Sequence, residues 1–234
     1  MVEPGEPVLI GASGGKDSNF LALALSLRMK WLPEKNPLTA VFIEWKEHPV
    51  PSADMQEIFS FYDLLGVPIE TIRASMYPRS FKGNFNCYLC SRNRKRILFD
   101  TAGQRGIRAV ALGHHMDDII ETTLINMVTR GHFSTMLPVQ HFFNGKLRII
   151  RPLCLVKEKT IENLCAAFRI PAVDVECPNK LKNIRADFKP IIRQFVHLNR
   201  HAREHIFNSC FNIAYDYLPL KADGNAASFD ESSL

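Results

Sequence analysis

Ser13-Gly14-Gly15-Lys16-Asp17-Ser18 is the stretch that most narrows what this chain can become. Before it runs Pro7-Val8-Leu9-Ile10-Gly11-Ala12; after it, Phe20, Leu21, Leu23, Ala24 and Leu27 recur at helical spacing over 17–31. A short apolar run closed by glycines reads as a buried strand, and the switch to helical periodicity reads as that strand turning into a helix. Gly14 and Gly15 lack a Cβ, so backbone amides there can approach a ligand closely. Ser13 and Ser18 add hydroxyls, and the helix that follows points its positive end at the same place. The result is an anion cradle, in which Lys16 can neutralise phosphate charge and Asp17 can hold Mg²⁺ beside it. The Gly-x-x-x-x-Gly-Lys spacing of a Walker A loop is absent.

Further along, the pattern predicts strands over 38–45, 67–72 and 107–113. It predicts helices over 52–65 with Ser52 as N-cap, 88–104, 117–131, 157–168 and 187–214. Asn144-Gly145 signals a hairpin joining 139–143 to 147–151. Residues 1–220 read as one domain ending in a helical extension, and the small polar residues 221–234 as a disordered tail. Strands alternating with helices give an α/β fold, a doubly wound parallel sheet covered on both faces. Ligands bind such sheets at the carboxyl ends of the strands. The loops at 13–18, 44–50, 74–90 and 113–118 therefore form one candidate site.

Two other motifs fall in those loops. Gly113-His114-His115-Met116-Asp117-Asp118 follows a strand and opens a helix, where carboxylates serve as caps and favour the dipole. Cys87-Tyr88-Leu89-Cys90 opens the helix carrying Arg92, Arg94, Lys95 and Arg96. Cysteines three apart at a helix start share a face, and the dipole and arginines favour thiolates. A redox pair, a zinc site and an iron–sulfur site all fit that spacing. Cys177 stands in a polar loop, whereas Cys154, Cys165 and Cys210 read as buried structural cysteines.

The hexapeptide at 13–18 resembles the signature of the PP-loop ATP pyrophosphatases, whose fold is that of the adenine nucleotide α-hydrolases. The Gly113–Asp118 segment resembles the same superfamily's Gly-His-x-x-Asp-Asp. The succession Cys87-x-x-Cys90-Ser91-Arg92, Arg96-Ile97-Leu98, Gly113–Asp118, Arg151-Pro152-Leu153 and Cys177 is similar to the tRNA 2-thiocytidine synthetase family over roughly residues 8 to 200. One departure is Asp174, where members often have another cysteine. The resemblance implies ATP binding by Ser13 to Ser18 and by Gly113 and His114, with adenine on the backbone near Phe42 and Ile43. It implies Mg²⁺ on Asp17 and Asp117, and a [4Fe–4S] cluster on Cys87, Cys90 and Cys177. It also implies a reaction: adenylation of a pyrimidine C2 oxygen in tRNA, followed by replacement of that oxygen with sulfur, giving 2-thiocytidine. Lys16, Asp17 and Asp117 are the catalytic candidates.

With 29 lysines and arginines against 24 acidic residues, the chain carries a net charge of +5, a mild bias whose meaning depends on where it lies. Arg92, Arg94, Lys95 and Arg96 beside the cysteines suit an RNA backbone, and Phe81, Phe85 and Tyr88 are candidates for stacking a base. Arg185 is a further candidate for contact with ATP or RNA. Expected partners are tRNA and a sulfur donor such as a cysteine desulfurase, with a homodimer left open. No apolar run approaches the ~20 residues of a membrane helix and no secretory signal is evident, so the expected location is cytoplasmic. Two rival readings are a cluster-free PP-loop ligase of the lysidine synthetase type and an iron–sulfur thiouridine desulfidase that consumes no ATP.

Overall fold

Val8-Leu9-Ile10 has no polar face to offer water, and it becomes the inside of a sheet. The computed structural model describes residues 1–77, 81, 87–173 and 184–214. β1 (Val8–Ala12), β2 (Leu38–Trp45), β3 (Ile69–Ala74), β4 (Ala109–Ala111), β5 (Val139–Phe142) and β6 (Leu147–Ile150) form one sheet in the order β3-β2-β1-β4-β6-β5. β1 pairs in parallel with both β2 and β4, with Ile10 opposite Ala40 and Ala111. Only β5 runs antiparallel, paired with β6 across the expected Asn144-Gly145 turn.

The seven described helices are α1 (Lys16–Trp31), α2 (Ser52–Leu64), α3 (Cys87–Gln104), α4 (Met116–Arg130), α5 (Glu158–Phe168), α6 (Ile184–Leu198) and α7 (Ala202–Ser209). Alternate strand residues go to opposite faces. Val8, Ile10, Ala12 and Phe42 meet α1, α2 and α5 through Leu21, Leu25, Ile58, Tyr62 and Ile161. Leu9, Val41, Ile43 and Val110 meet α3 through Ile97, Leu98 and Ala102. A third, smaller core joins α4, α6 and α7 through Ile119, Ile120, Ile192 and Phe207. The sheet is thus covered on both faces. Because β2 and β4 flank β1, the chain's winding reverses between β1 and β4, and a crevice opens there at the carboxyl edge.

Several expectations are corrected. The helix expected over 187–214 is two helices. The Asn199 side chain accepts a hydrogen bond from the His201 N–H at 2.9 Å, and its carbonyl accepts one from Ala202 at 2.8 Å. Such a side-chain turn competes with the helical ladder and breaks it. Leu198, the last residue of α6, is 84% exposed. Pro51, not Ser52, is the N-cap of α2. The third strand starts at Ile69 rather than Val67, because the Val67 N–H still bonds the α2 carbonyl of Tyr62. The tail at 221–234, Phe85 and Cys177 lie outside the described residues. Among those described, no helix is long and apolar enough to cross a membrane.

Candidate active site

The turn from β1 into α1 is held by its own hydroxyls. Ser18 Oγ accepts from the Ser13 N–H at 3.2 Å and donates to the Gly15 carbonyl at 2.9 Å. Gly14 has φ +81°, and a Cβ there would stand 3.0 Å from Ile58 and 3.1 Å from Phe42. Both facts require glycine. Gly15 is the N-cap of α1 and supplies no side-chain bond to the first turn, so those amides stay open to an anion.

The second loop is pressed against the first. A Cβ on Gly113 would lie 2.8 Å from the backbone carbonyl of Asp17 and 3.0 Å from the Ser18 nitrogen. His115 is the buried N-cap of α4. Its N–H donates to Asp118 Oδ2 at 3.0 Å, and its Nδ1 accepts from the Asp118 N–H at 3.4 Å, a reciprocal capping box. That leaves the ring proton on Nε2, which sits 3.5 Å from Asp118 Oδ2 and 3.9 Å from Asp17 Oδ1.

A cavity of about 660 Å³ opens over these loops. Ser13, Asp17, Ser18, Ile43, Gly113, His114, Cys87, Cys90, Arg94 and Lys95 line it, whereas Gly14, Gly15, Lys16 and the loop at 44–50 do not. Phe42 is buried in the core beneath Gly14 and does not line the cavity, whereas its neighbours Val41 and Ile43 do. Arg92 and Arg96 turn to a different cavity.

Asp117 and Asp118 part company. Asp118 lines the cavity and accepts from Arg185 Nη1 at 2.8 Å. Asp117 faces the other side of α4. Its Oδ2 accepts from the Glu158 N–H at 2.7 Å, capping α5, and its Oδ1 pairs with Arg203. Lys16 Nζ lies 2.9 Å from Asp17 and 3.2 Å from Glu158, which also holds Lys189. Burial pulls the Lys16 pKa down, but these carboxylates outweigh it and hold it above its usual value.

Three buried polar atoms without a partner among the described residues, His114 Nδ1, Thr122 Oγ1 and Arg151 Nε, belong to residues lining this cavity. Buried polar atoms are ordinarily bonded, so three orphans around one cavity fit a polar ligand. Burial lowers His114 to about 4 and Arg151 to about 10, leaving a neutral imidazole and a charged guanidinium at neutral pH. Arg151 and Asp118 stand in the quoted motifs Arg151-Pro152-Leu153 and Gly113–Asp118, but neither is given a role of its own there. Cys87 and Cys90 stand one turn apart at the start of α3. Among the described residues no cluster of three or more His, Cys, Asp or Glu side chains could hold a metal ion.

The model of the PP-loop domain matches residues 3–205. A tRNA-cytidine(32) 2-sulfurtransferase of Bdellovibrio bacteriovorus is 34% identical, covering 74% of this chain and 67% of the relative. The Burkholderia multivorans enzyme of the same name is 32% identical over 99% of this chain and 75% of its own length. The chain belongs to the PP-loop family of the tRNA-cytidine(32) 2-sulfurtransferases. The PP-loop fold is shared with a solved structure, the U34-tRNA thiolase NcsA from Methanococcus maripaludis with its [4Fe–4S] cluster. That match has a TM-score of 0.74 at 18% identity, covering 89% of this chain and 72% of the other.

Proposed function

We propose that this protein is an ATP-dependent tRNA sulfurtransferase that makes 2-thiocytidine at position 32, the nucleotide named for its sequence relatives. One observation carries the reading: the phosphate loop, the Asp118 carboxylate and the Cys87/Cys90 pair line one cavity. The open amides at the start of α1 take the pyrophosphate part of ATP, and the backbone at Phe42 and Ile43 takes adenine. Lys16 neutralises phosphate charge. Asp17 and Asp118, rather than Asp117, hold Mg²⁺, since both carboxylates line the cavity and Asp117 is occupied elsewhere. The cytosine C2 oxygen attacks the α-phosphorus, pyrophosphate leaves, and a sulfur nucleophile then displaces AMP. Arg151 and Arg185 stabilise the negative charge that builds on phosphate, as fixed donors in a partly dry site do.

Cys87 and Cys90 fit a [4Fe–4S] cluster in chemistry and placement: two thiols one turn apart, with Arg94 and Lys95 on the same cavity to favour thiolate. Cys177 is the proposed third ligand. When bound, such a cluster supplies an iron site for the incoming sulfur. A cysteine desulfurase is the proposed sulfur source, and the cytoplasm the proposed location.

Mass spectrometry of tRNA nucleosides from cells lacking the protein tests the function. Loss of 2-thiocytidine is expected; an unchanged level would overturn it, and loss of 2-thiouridine instead would move the target. Iron and acid-labile sulfide in anaerobically purified protein, lost in Cys90→Ser, are expected of the cluster.

A further inference from the structure

α3 has two working faces. Cys87, Cys90 and Arg94 look into the cavity described above, whereas Arg92, Arg96 and Phe99 look into a second one of about 580 Å³. Met76, Ser91 and Lys95 line both, so at those positions the partition is one side chain thick.

Its walls are aromatic. The Phe99 ring centroid lies 4.9 Å from that of Phe142 and 5.7 Å from that of Phe143, and the latter two are 6.5 Å apart. Phe143 is 58% exposed and sits at φ +52° in the β5–β6 turn. A bulky residue rarely adopts that conformation, and here it leaves a hydrophobic ring facing outward. Lys95 Nζ stands 5.3 Å from the Phe142 centroid. At the rim Arg92 and Arg96 are cationic, Arg96 donating to Asn93 Oδ1 at 3.0 and 3.2 Å and lying 3.7 Å from Asp100. Aromatic faces inside cationic edges match a flat ring carried on a polyanion, the arrangement by which proteins stack the bases of single-stranded nucleic acid. A peptide would use the apolar walls but has no general need of the cationic rim.

We propose that this second cavity receives another unstacked base of the RNA, an immediate neighbour of the nucleotide being modified, stacked against Phe143 and Phe99. The thin partition allows one strand to place adjacent bases in the two cavities. The inference rests on the RNA reading above. It would account for selection of a loop rather than a helix, because two neighbouring bases cannot both leave a duplex cheaply.

The test measures the affinity of anaerobically purified protein for intact tRNA, and for the same tRNA with an abasic residue on one side or the other of the target cytidine. Phe143→Ala is expected to weaken binding of intact tRNA about tenfold, within the range for loss of one base stack. One of the two abasic tRNAs is expected to bind wild-type protein about tenfold more weakly, and Phe143→Ala with no further loss. Phe143→Trp is expected to keep wild-type affinity. Wild-type affinity in Phe143→Ala, or losses that multiply to about a hundredfold, would overturn the base cavity while leaving the RNA reading intact. Failure of wild-type protein to bind intact tRNA would overturn the RNA reading itself. Phe143→Leu, which keeps apolar bulk without a π face, is expected to behave as Phe143→Ala; wild-type affinity there would also overturn stacking.

Discussion

Adjacent carboxylates do different work here because a helix turns each residue by about 100°. Asp118 meets the cavity and Arg185; Asp117 meets α5 and Arg203. Asp118→Asn is therefore expected to lower pyrophosphate release with tRNA by about 10²–10³-fold, the scale for removing one group placed on developing charge, a loss far out of proportion to what weakening its cap on His115 and its pair with Arg185 costs in stability. Asp117→Asn is expected to do the reverse, costing about 1–3 kcal/mol in urea unfolding, because Arg203 is left beside a neutral group and a helix cap is weakened. Equal loss of turnover in both would refute the division. Glu121, buried nearby, is raised from 4.5 to about 7, chiefly by burial. Folded protein keeps that proton up to about pH 7, while unfolded chain loses it near 4.5. Stability from this group thus falls as pH rises from about 4.5 to about 7 and stays lost above. His114, lowered to about 4, acts in the opposite sense, losing stability as pH falls from about 6.5 to about 4. Comparing Glu121→Gln with wild type cancels the histidine. The variant is expected to be more stable at pH 8 by on the order of 1–3 kcal/mol and level at pH 4.5, by urea melts at each pH.

At the scale of elements, the site is two loops meeting backbone to backbone. The contact at Gly113 has no room for a methyl group, since a Cβ would meet the Asp17 carbonyl at 2.8 Å. Gly113→Ala is expected to separate the loops, costing about 1–3 kcal/mol as an overpacked substitution and weakening ATP binding by isothermal titration; normal ATP affinity in a folded variant would count against it. This close approach explains what sequence could convey. Hydrophobic period located β1, β2 and helices α1 to α5 within a few residues; for the strands this is because burial on both faces of a parallel sheet leaves an unbroken apolar run. Glycine and turn chemistry located the phosphate loop and the β5–β6 hairpin. Long-range side-chain choices were not legible. Nothing in Asp117-Asp118 reveals that α5 begins against one and not the other. The break at Asn199 depends on a side chain outcompeting the helical ladder, and helical periodicity does not register that. The aromatic group Phe99, Phe142 and Phe143 joins a helix to a hairpin more than forty positions away, so of the rings lining that cavity only Phe81 and Tyr88 were legible as stacking candidates.

For the whole molecule, the excess of five positive charges matters through its placement. The four cations of α3 are not equivalent. Arg94 lines the first cavity, its guanidinium 5.1 Å from the centre of the Trp45 ring, and Lys95 stands over Phe142 in the partition. Burial, then Arg151 and Arg92, push the Lys95 pKa down, which further suits it to an enclosed position. Arg92 and Arg96 are left at the rim, where an RNA backbone would pass on its way to both cavities. Each phosphate contact releases condensed counterions, so affinity falls with salt by a slope of about 0.7 per contact for a single strand. Arg92→Ala and Arg96→Ala are each expected to weaken tRNA binding and to flatten the plot of log K against log salt by about 0.7. Arg94→Ala is expected to leave that slope unchanged while lowering turnover. An equal change of slope for all three would mean that the backbone runs along the whole of α3, and that the division of labour between rim and cavity is wrong.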